Sequence, residues 1–387
     1  MSKKVIIILS IFIILTVSGI ALYWWLAKPI DSSLVDQAPT PTETPAEPQI
    51  KEANPLDQTK PLAGKSTLVK PLKKLEALND NPAFGFAIKS NLEVIYFDKT
   101  LGQFIITSLS GKNRLMASGS KFTNLDKVIW SPDKTEAILI FAGGLSYYYN
   151  LTENFSQKLP VGARDFSWSP SGDKIVYEIG DEPTSRKIMV ASPDASGQIK
   201  IKDLGYASRV AGWSSLAGGP VSLVQVYSLG SGRDVYPVYE NGASGQALKL
   251  SGYGDKVKYS RDGKRLLFPV VDTEEFKQTL WVADIDGLNN YSLGVQTFIE
   301  KCVWDRLATF VYCAVPSEAL GAEPKLEQAT TDNFWKINTK TGEKTKLYDQ
   351  SEADIKIDAE NVWTSPSEDR LYFENVRDGK IYILYLQ

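Results

Sequence analysis

The chain has 387 residues, a formal net charge of −3, 11% aromatic residues and no histidine. That balance of charge leaves no basic footprint for nucleic acid or for an anionic membrane surface. The missing histidine removes Ser-His-Asp and Cys-His catalysis, histidine-ligated metals and the commonest general base.

Lys3 and Lys4 precede an uncharged apolar run, Val5 through Ala27. As a helix those ~23 residues would reach roughly 34 Å, enough to span a bilayer. Tyr23-Trp24-Trp25 stand at its far end, where an aromatic belt belongs. The reading is a cytoplasmic stub at 1–4 and a single-pass signal anchor in the cytoplasmic membrane at 5–27, with everything after it outside. A cleaved signal peptide is the alternative. Val17-Ser-Gly19 and Gly19-Ile-Ala21 carry the small residues that a cut needs, but the apolar run continues past them through Leu26. Residues 28–65 are rich in Pro, Thr, Glu, Asp and Ala, as in Ala38-Pro-Thr-Pro-Thr-Glu-Thr-Pro-Ala-Glu-Pro48. Such a stretch cannot bury enough surface to order itself, and reads as a linker that holds the rest away from the bilayer.

The remainder, 66–387, repeats one phrase. It reads Val128-Ile-Trp-Ser-Pro-Asp-Lys134, Phe166-Ser-Trp-Ser-Pro-Ser-Gly-Asp173, Ala211-Gly-Trp-Ser-Ser215, Val257-Lys-Tyr-Ser-Arg-Asp-Gly263, Cys302-Val-Trp-Asp305 and Asn361-Val-Trp-Thr-Ser-Pro366. The aromatic returns at Trp130, Trp168, Trp213, Tyr259, Trp304 and Trp363, mostly every ~38 to 46 residues, with one interval of about 59. One period contains four short β-like runs. In the second copy they are 165–168, Lys174-Ile-Val-Tyr-Glu-Ile179, Lys187-Ile-Met-Val-Ala191 and Gln198-Ile-Lys-Ile-Lys202, the last strictly alternating as a half-exposed edge strand should. Four strands in ~40 residues describe one propeller blade.

A degenerate first copy runs from Ala83 to Met116, which brings the count to seven. The last copy has only three runs, ending in Lys380-Ile-Tyr-Ile-Leu-Tyr-Leu386. Its open edge calls for a partner. The segment Ser66-Thr-Leu-Val-Lys-Pro-Leu72, just before the first blade, is the expected donor that closes the ring. The expected fold is therefore all-β: a seven-bladed propeller of four-stranded antiparallel blades, preceded by one N-terminal transmembrane helix.

The phrase aromatic-Ser-Pro-Asp/Ser-Gly-Lys followed by apolar residues resembles the repeat of TolB-type, WD-repeat-like β-propellers of bacterial envelopes, over roughly residues 83–387. It is also similar to the propeller half of prolyl-oligopeptidase-type enzymes. Those carry their triad on a separate hydrolase domain, and no Gly-x-Ser-x-Gly elbow occurs here. The resemblance implies a fold and no catalysis. Trp213-Ser-Ser and Trp304-Asp-Arg depart from the repeat.

Two cysteines, Cys302 and Cys313, flank one expected hairpin and would face each other within disulfide reach, in an envelope that permits the bond. Gly64-Lys65-Ser66-Thr67 lacks the first glycine of a phosphate loop and precedes a strand. Asp284-Ile-Asp286-Gly287 lacks the other ligands of a calcium loop. No cofactor or metal is expected. Long connections between second and third strands lie on one face and are mostly acidic, through Asp181, Glu182, Asp272, Glu274, Glu275, Glu318, Glu323, Glu327 and Asp332. Long loops on a rigid scaffold commonly carry binding. They form the expected partner-binding rim of a non-catalytic protein-interaction or ligand-binding module in the cell envelope, with protein partners and a membrane tether. The alternative is a glycosidase-like hydrolase using paired carboxylates.

Overall fold

A computed structural model of the chain describes residues 66–68, 75–180, 185–204, 208–213, 221–226, 233–238, 248–250, 256–271, 277–320 and 326–386. The chain divides into two compact units, Met1–Ala53 and Asn54–Gln387, and every described strand belongs to the second. The expected stub, anchor at 5–27 and linker lie outside the described residues. Among those that are described, no helix is long and apolar enough to cross a membrane.

The described strands form seven hydrogen-bonded sheets in chain order, one to each unit of the sequence repeat. The first holds Ala83–Ile88, Glu93–Asp98, Gln103–Ser108 and Leu115–Met116. The second holds Leu125–Trp130, Glu136–Phe141, Ser146–Asn150 and Phe155–Lys158. The third holds Arg164–Trp168, Ile175–Ile179, Lys187–Ala191 and Ile199–Asp203. The fourth is built from Ser208–Trp213, Val221–Val226, Arg233–Val238 and Leu248–Leu250. The fifth is built from Lys258–Tyr259, Arg265–Val271, Gln278–Asp284 and Tyr291–Ser292. Cys302–Trp304, Phe310–Pro316, Asp332–Asn338 and Lys344–Tyr348 make the sixth, and Ala359–Thr364, Arg370–Asn375 and Lys380–Tyr385 the body of the seventh.

Second strands are the most deeply buried, as in Val94-Ile-Tyr96, Ile175-Val-Tyr177, Leu266-Leu-Phe268 and Leu371-Tyr-Phe373, all at 1% exposure or less. A strand sandwiched between two neighbouring sheets buries both of its faces, so it reads as a continuous apolar run. The packing is between sheets. Leu267 and Leu280 of the fifth meet Trp304 and Val311 of the sixth. Phe86 of the first stacks on Tyr372 of the seventh, centroids 5.1 Å apart.

The repeated tryptophan ties one sheet to the sheet before it. The indole Nε1 of Trp130 donates to Gly85 O at 2.6 Å, that of Trp168 to Ile129 O at 2.9 Å and that of Trp304 to Lys258 O at 3.2 Å. Gly85 has φ +65°, and a Cβ there would lie 3.0 Å from Val128, so the close approach that admits Trp130 needs a glycine. Cys302 and Cys313 pair directly across the sixth sheet and their sulfurs are bonded, with Cα atoms 4.2 Å apart.

The expectation that every blade is a four-stranded antiparallel sheet is corrected, while the expected transmembrane helix lies outside the described residues. The sixth sheet has five strands, because Ser66–Leu68 joins its outer edge in parallel to Lys344–Lys346. The segment expected to close the ring therefore does not close it. Leu75–Ala77 does, antiparallel to Tyr382–Leu384. The reason is the path of the chain. The residues that directly precede Ala83 reach the outer edge of the seventh sheet, and those further upstream can only meet the sheet before it. Asn79 completes the closure, since Ile381 N donates to its Oδ1 at 2.8 Å.

Candidate functional site

The turn after each innermost strand explains most of the repeated phrase. Ser131 Oγ donates to Asp133 Oδ1 at 2.6 Å and accepts from Glu136 N at 3.1 Å. Ser260 repeats this with Asp262 and Arg265 N, and Ser365 with Asp369 and Arg370 N. In the sixth sheet Asp305 takes the serine's place and accepts from Thr309 N and Phe310 N. Burial opposes ionisation of Asp133 and Asp262, but the serine hydroxyl and turn amides outweigh it and hold both carboxyls below the usual range. The Ser-x-Asp pairs are thus spent on their own turns.

What the turns leave over is the residue after the serine. It is proline at Pro132, Pro170 and Pro366 but arginine at Arg261, and Arg306 holds the same place after Asp305. Both arginines line one cavity of about 600 Å³ with Lys89, Ser90 and Asn91 of the first sheet and Pro366 and Ser367 of the seventh. The first and fifth sheets are not neighbours in the ring. A cavity that their innermost turns share lies where those turns converge, at one axial mouth of the propeller.

Lys134 from the second sheet extends the same ring of charge. Its Nζ donates to Ser131 O at 2.8 Å and Pro132 O at 2.7 Å and sits 5.9 Å from the centre of the Trp363 ring. Burial holds its pKa down to about 8. Asp133 works against the shift, and the positive charges of Arg261 and Lys89 add to it. Among the described residues, no carboxylate lines the cavity. Asp262 and Asp305 lie beside the arginines but serve their turns, and Glu368 Oε1 accepts from Arg306 N at 2.5 Å. Among the described residues, none forms an ion pair with Lys89, Arg261 or Arg306.

The expected acidic rim is only partly visible. Glu318 and Glu327 are exposed, whereas Asp181, Glu182, Asp272, Glu274, Glu275 and Glu323 lie outside the described residues. Asp332 is corrected: it is no rim residue. Its carboxylate is fully buried, 2.8 Å from Lys301 Nζ, which also donates to Thr330 Oγ1 at 2.9 Å, Asp358 Oδ1 at 2.7 Å and Ala359 O at 3.0 Å. A carboxylate at a strand start looks solvated in sequence. Here a lysine from 31 positions upstream reaches it.

Other carboxylates that the fold brings inward are also held. Glu178 receives Arg164 and Arg186. Glu374 lies at the seam of the seventh and first sheets, where its Oε1 accepts from Phe86 N at 2.8 Å and Asn361 Nδ2 at 2.6 Å. Burial pushes its pKa up to about 7 against those two donors. Among the described residues, no group of three Cys, Asp or Glu side chains is placed to hold a metal ion. The cationic mouth had one legible signal in sequence. Arg261 and Arg306 stand where three other copies of the repeat place proline, a departure that singles them out in the sequence.

No family model matches the chain, and no curated protein does either. Solved structures do. An oligogalacturonate lyase from Vibrio parahaemolyticus is similar at 11% identity over 81% of this chain and 93% of that one, with a TM-score of 0.60. The β-propeller domain of Cps50 from Myceliophteria thermophila is similar at 9% identity over 81% of this chain and all of that one, with a TM-score of 0.55. TolB from Acinetobacter baumannii is similar at 13% identity over 68% of this chain and 65% of that one, with a TM-score of 0.45. The chain has a β-propeller fold, and at these identities the likeness speaks for the fold alone.

Proposed function

We propose that this chain is a non-catalytic binding module of the cell envelope, tethered to the outer face of the cytoplasmic membrane by residues 5–27 and engaging a protein partner or other ligand through its axial mouth. The observation that carries the reading is the cavity of about 600 Å³ lined by Lys89, Arg261 and Arg306, with no carboxylate among its described lining residues. Cations gathered from separate sheets, with no ion pair among the described residues, are held close together by the ring and available to a ligand. The absence of histidine from the chain and the commitment of the inward carboxylates to arginine, lysine and amide donors support a role without catalysis. The acidic loops are a second surface of the same module.

The test is capture from solubilised membranes with the full chain and with Arg261→Gln/Arg306→Gln. Loss of a partner by the double variant, at an unchanged melting temperature, bears out the mouth. Equal capture by both proteins refutes it and sends the search to the acidic rim. A carbohydrate-active reading has one observation in its favour, the shared fold with an oligogalacturonate lyase. Product formation from a panel of acidic oligosaccharides would establish it in place of the binding role.

A further inference from the structure

We infer that the axial mouth is a site for a multiply charged oxyanion, one bearing at least two phosphate or carboxylate groups. The inference rests on the reading of the mouth as the binding surface and names the chemistry it accepts.

Of the eight lining residues, five bring a side-chain donor, Lys89, Ser90, Asn91, Arg261 and Arg306; Ile88 and Pro366 bring none, and Ser367 Oγ donates to Asp369 Oδ1 at 2.7 Å. Arg261 and Arg306 each present a planar fork of N–H groups, the geometry that matches phosphate and carboxylate oxygens two at a time. Lys89 adds a compact ammonium. Ser90 Oγ already accepts from Leu92 N at 3.2 Å and Glu93 N at 3.1 Å, so its own O–H remains to be donated. Asn91 contributes an amide.

The acceptors close by are the carboxylates of Asp262, Asp305 and Glu368, and each is engaged by a hydroxyl or backbone amide of the turns. Lys134 stands behind the ring with its amine tied to two carbonyls, outside the cavity itself. A cavity of about 600 Å³ is far larger than one phosphate and falls within the range of small-molecule sites, so a ligand with several anionic groups fits where a single small ion would leave cations unmatched. The cations come from the first, second, fifth and sixth sheets, so the closed ring sets the spacing between them. A ligand is selected by the separation of its anionic groups as well as by its charge.

The test is titration calorimetry of the full chain at low salt with two probes, inorganic tripolyphosphate and citrate. Saturable binding is expected, weakened at least tenfold by Arg261→Gln or by Arg306→Gln and lost in the double variant. Lys99→Gln/Lys121→Gln removes two charges from a separate cavity and should change affinity less than twofold. The probe bound more tightly identifies the phosphate or the carboxylate source. No saturable heat with either probe overturns the inference, and so does equal weakening by the Lys99/Lys121 pair, which would mark a diffuse field. If the arginine variants lose partner capture while neither probe binds, the mouth remains a protein-binding surface and the oxyanion inference alone fails.

Discussion

Replacing Lys301 with methionine should cost far more than the loss of one charge suggests. The ammonium is completely buried and satisfies Asp332, Asp358, Thr330 Oγ1 and Ala359 O within 3.0 Å. Methionine fills similar volume but leaves two carboxylates facing each other out of water. Breaking a buried pair by removing one partner typically costs about 3–5 kcal/mol, a large share of the ~5–15 kcal/mol that holds a domain folded. The penalty should depend on pH. Burial already pushes Asp332 above the usual carboxylate range, with Lys301 opposing the shift. Asp358, though burial opposes its ionisation too, is held below that range by Lys301 and by Thr330, whose N–H donates to its Oδ2 at 3.0 Å. Without the lysine, both lose their main counter-charge and their pKa values rise. A carboxyl with a raised folded pKa loses stability as pH rises through that value, so the variant should suffer more at pH 8 than at pH 5. Urea denaturation followed by tryptophan fluorescence at the two pH values measures this. Adding Asp332→Asn to Lys301→Met should recover part of the loss at pH 8. A cost below about 1 kcal/mol at pH 8, or one that is the same at both pH values, would refute the reasoning.

Three further outcomes follow from the seams between sheets. Deleting Leu75–Ala77 uncovers the edge of Lys380–Tyr385 and should cause aggregation and a large fall in melting temperature, whereas deleting Ser66–Leu68 removes only the added parallel strand and should be mild; size-exclusion chromatography and thermal melts compare the two. Glu374 has a folded pKa raised by burial from its ordinary 4.5 to about 7, so it contributes stability that is lost as pH climbs through that window; Glu374→Gln should be near neutral at pH 4.5 and stabilise the chain by about 2 kcal/mol at pH 8, and a variant equally stable relative to the parent at both ends would contradict this. Trp130→Phe strips the 2.6 Å donor from Gly85 O while keeping a ring in the core, and a destabilisation of about 1–3 kcal/mol by chemical denaturation is expected; no loss would mean that the indole bond does not hold the first two sheets together.

The sequence by itself determined the repeating unit. Tryptophan recurs because the innermost strands of the second, third and sixth sheets make the same indole bond to the sheet before them, and serine because the turns of the second, fifth and seventh use the same hydroxyl; a shared local need leaves a shared local phrase. It likewise made the facing cysteines legible, since a short hairpin fixes its own register. What only the tertiary structure decided are contacts between distant sheets. Which upstream segment closes the last sheet depends on the path of the chain around the ring, so Leu75–Ala77 takes the place expected of Ser66–Leu72. Asp332 looks like any acidic loop residue until Lys301 arrives from the preceding connection. Arg261 and Arg306 are 45 residues apart in the chain, and Lys89 is further still. Their shared cavity exists because closing the ring brings the ends of the innermost strands to one axis, a distance that no pattern along the sequence encodes.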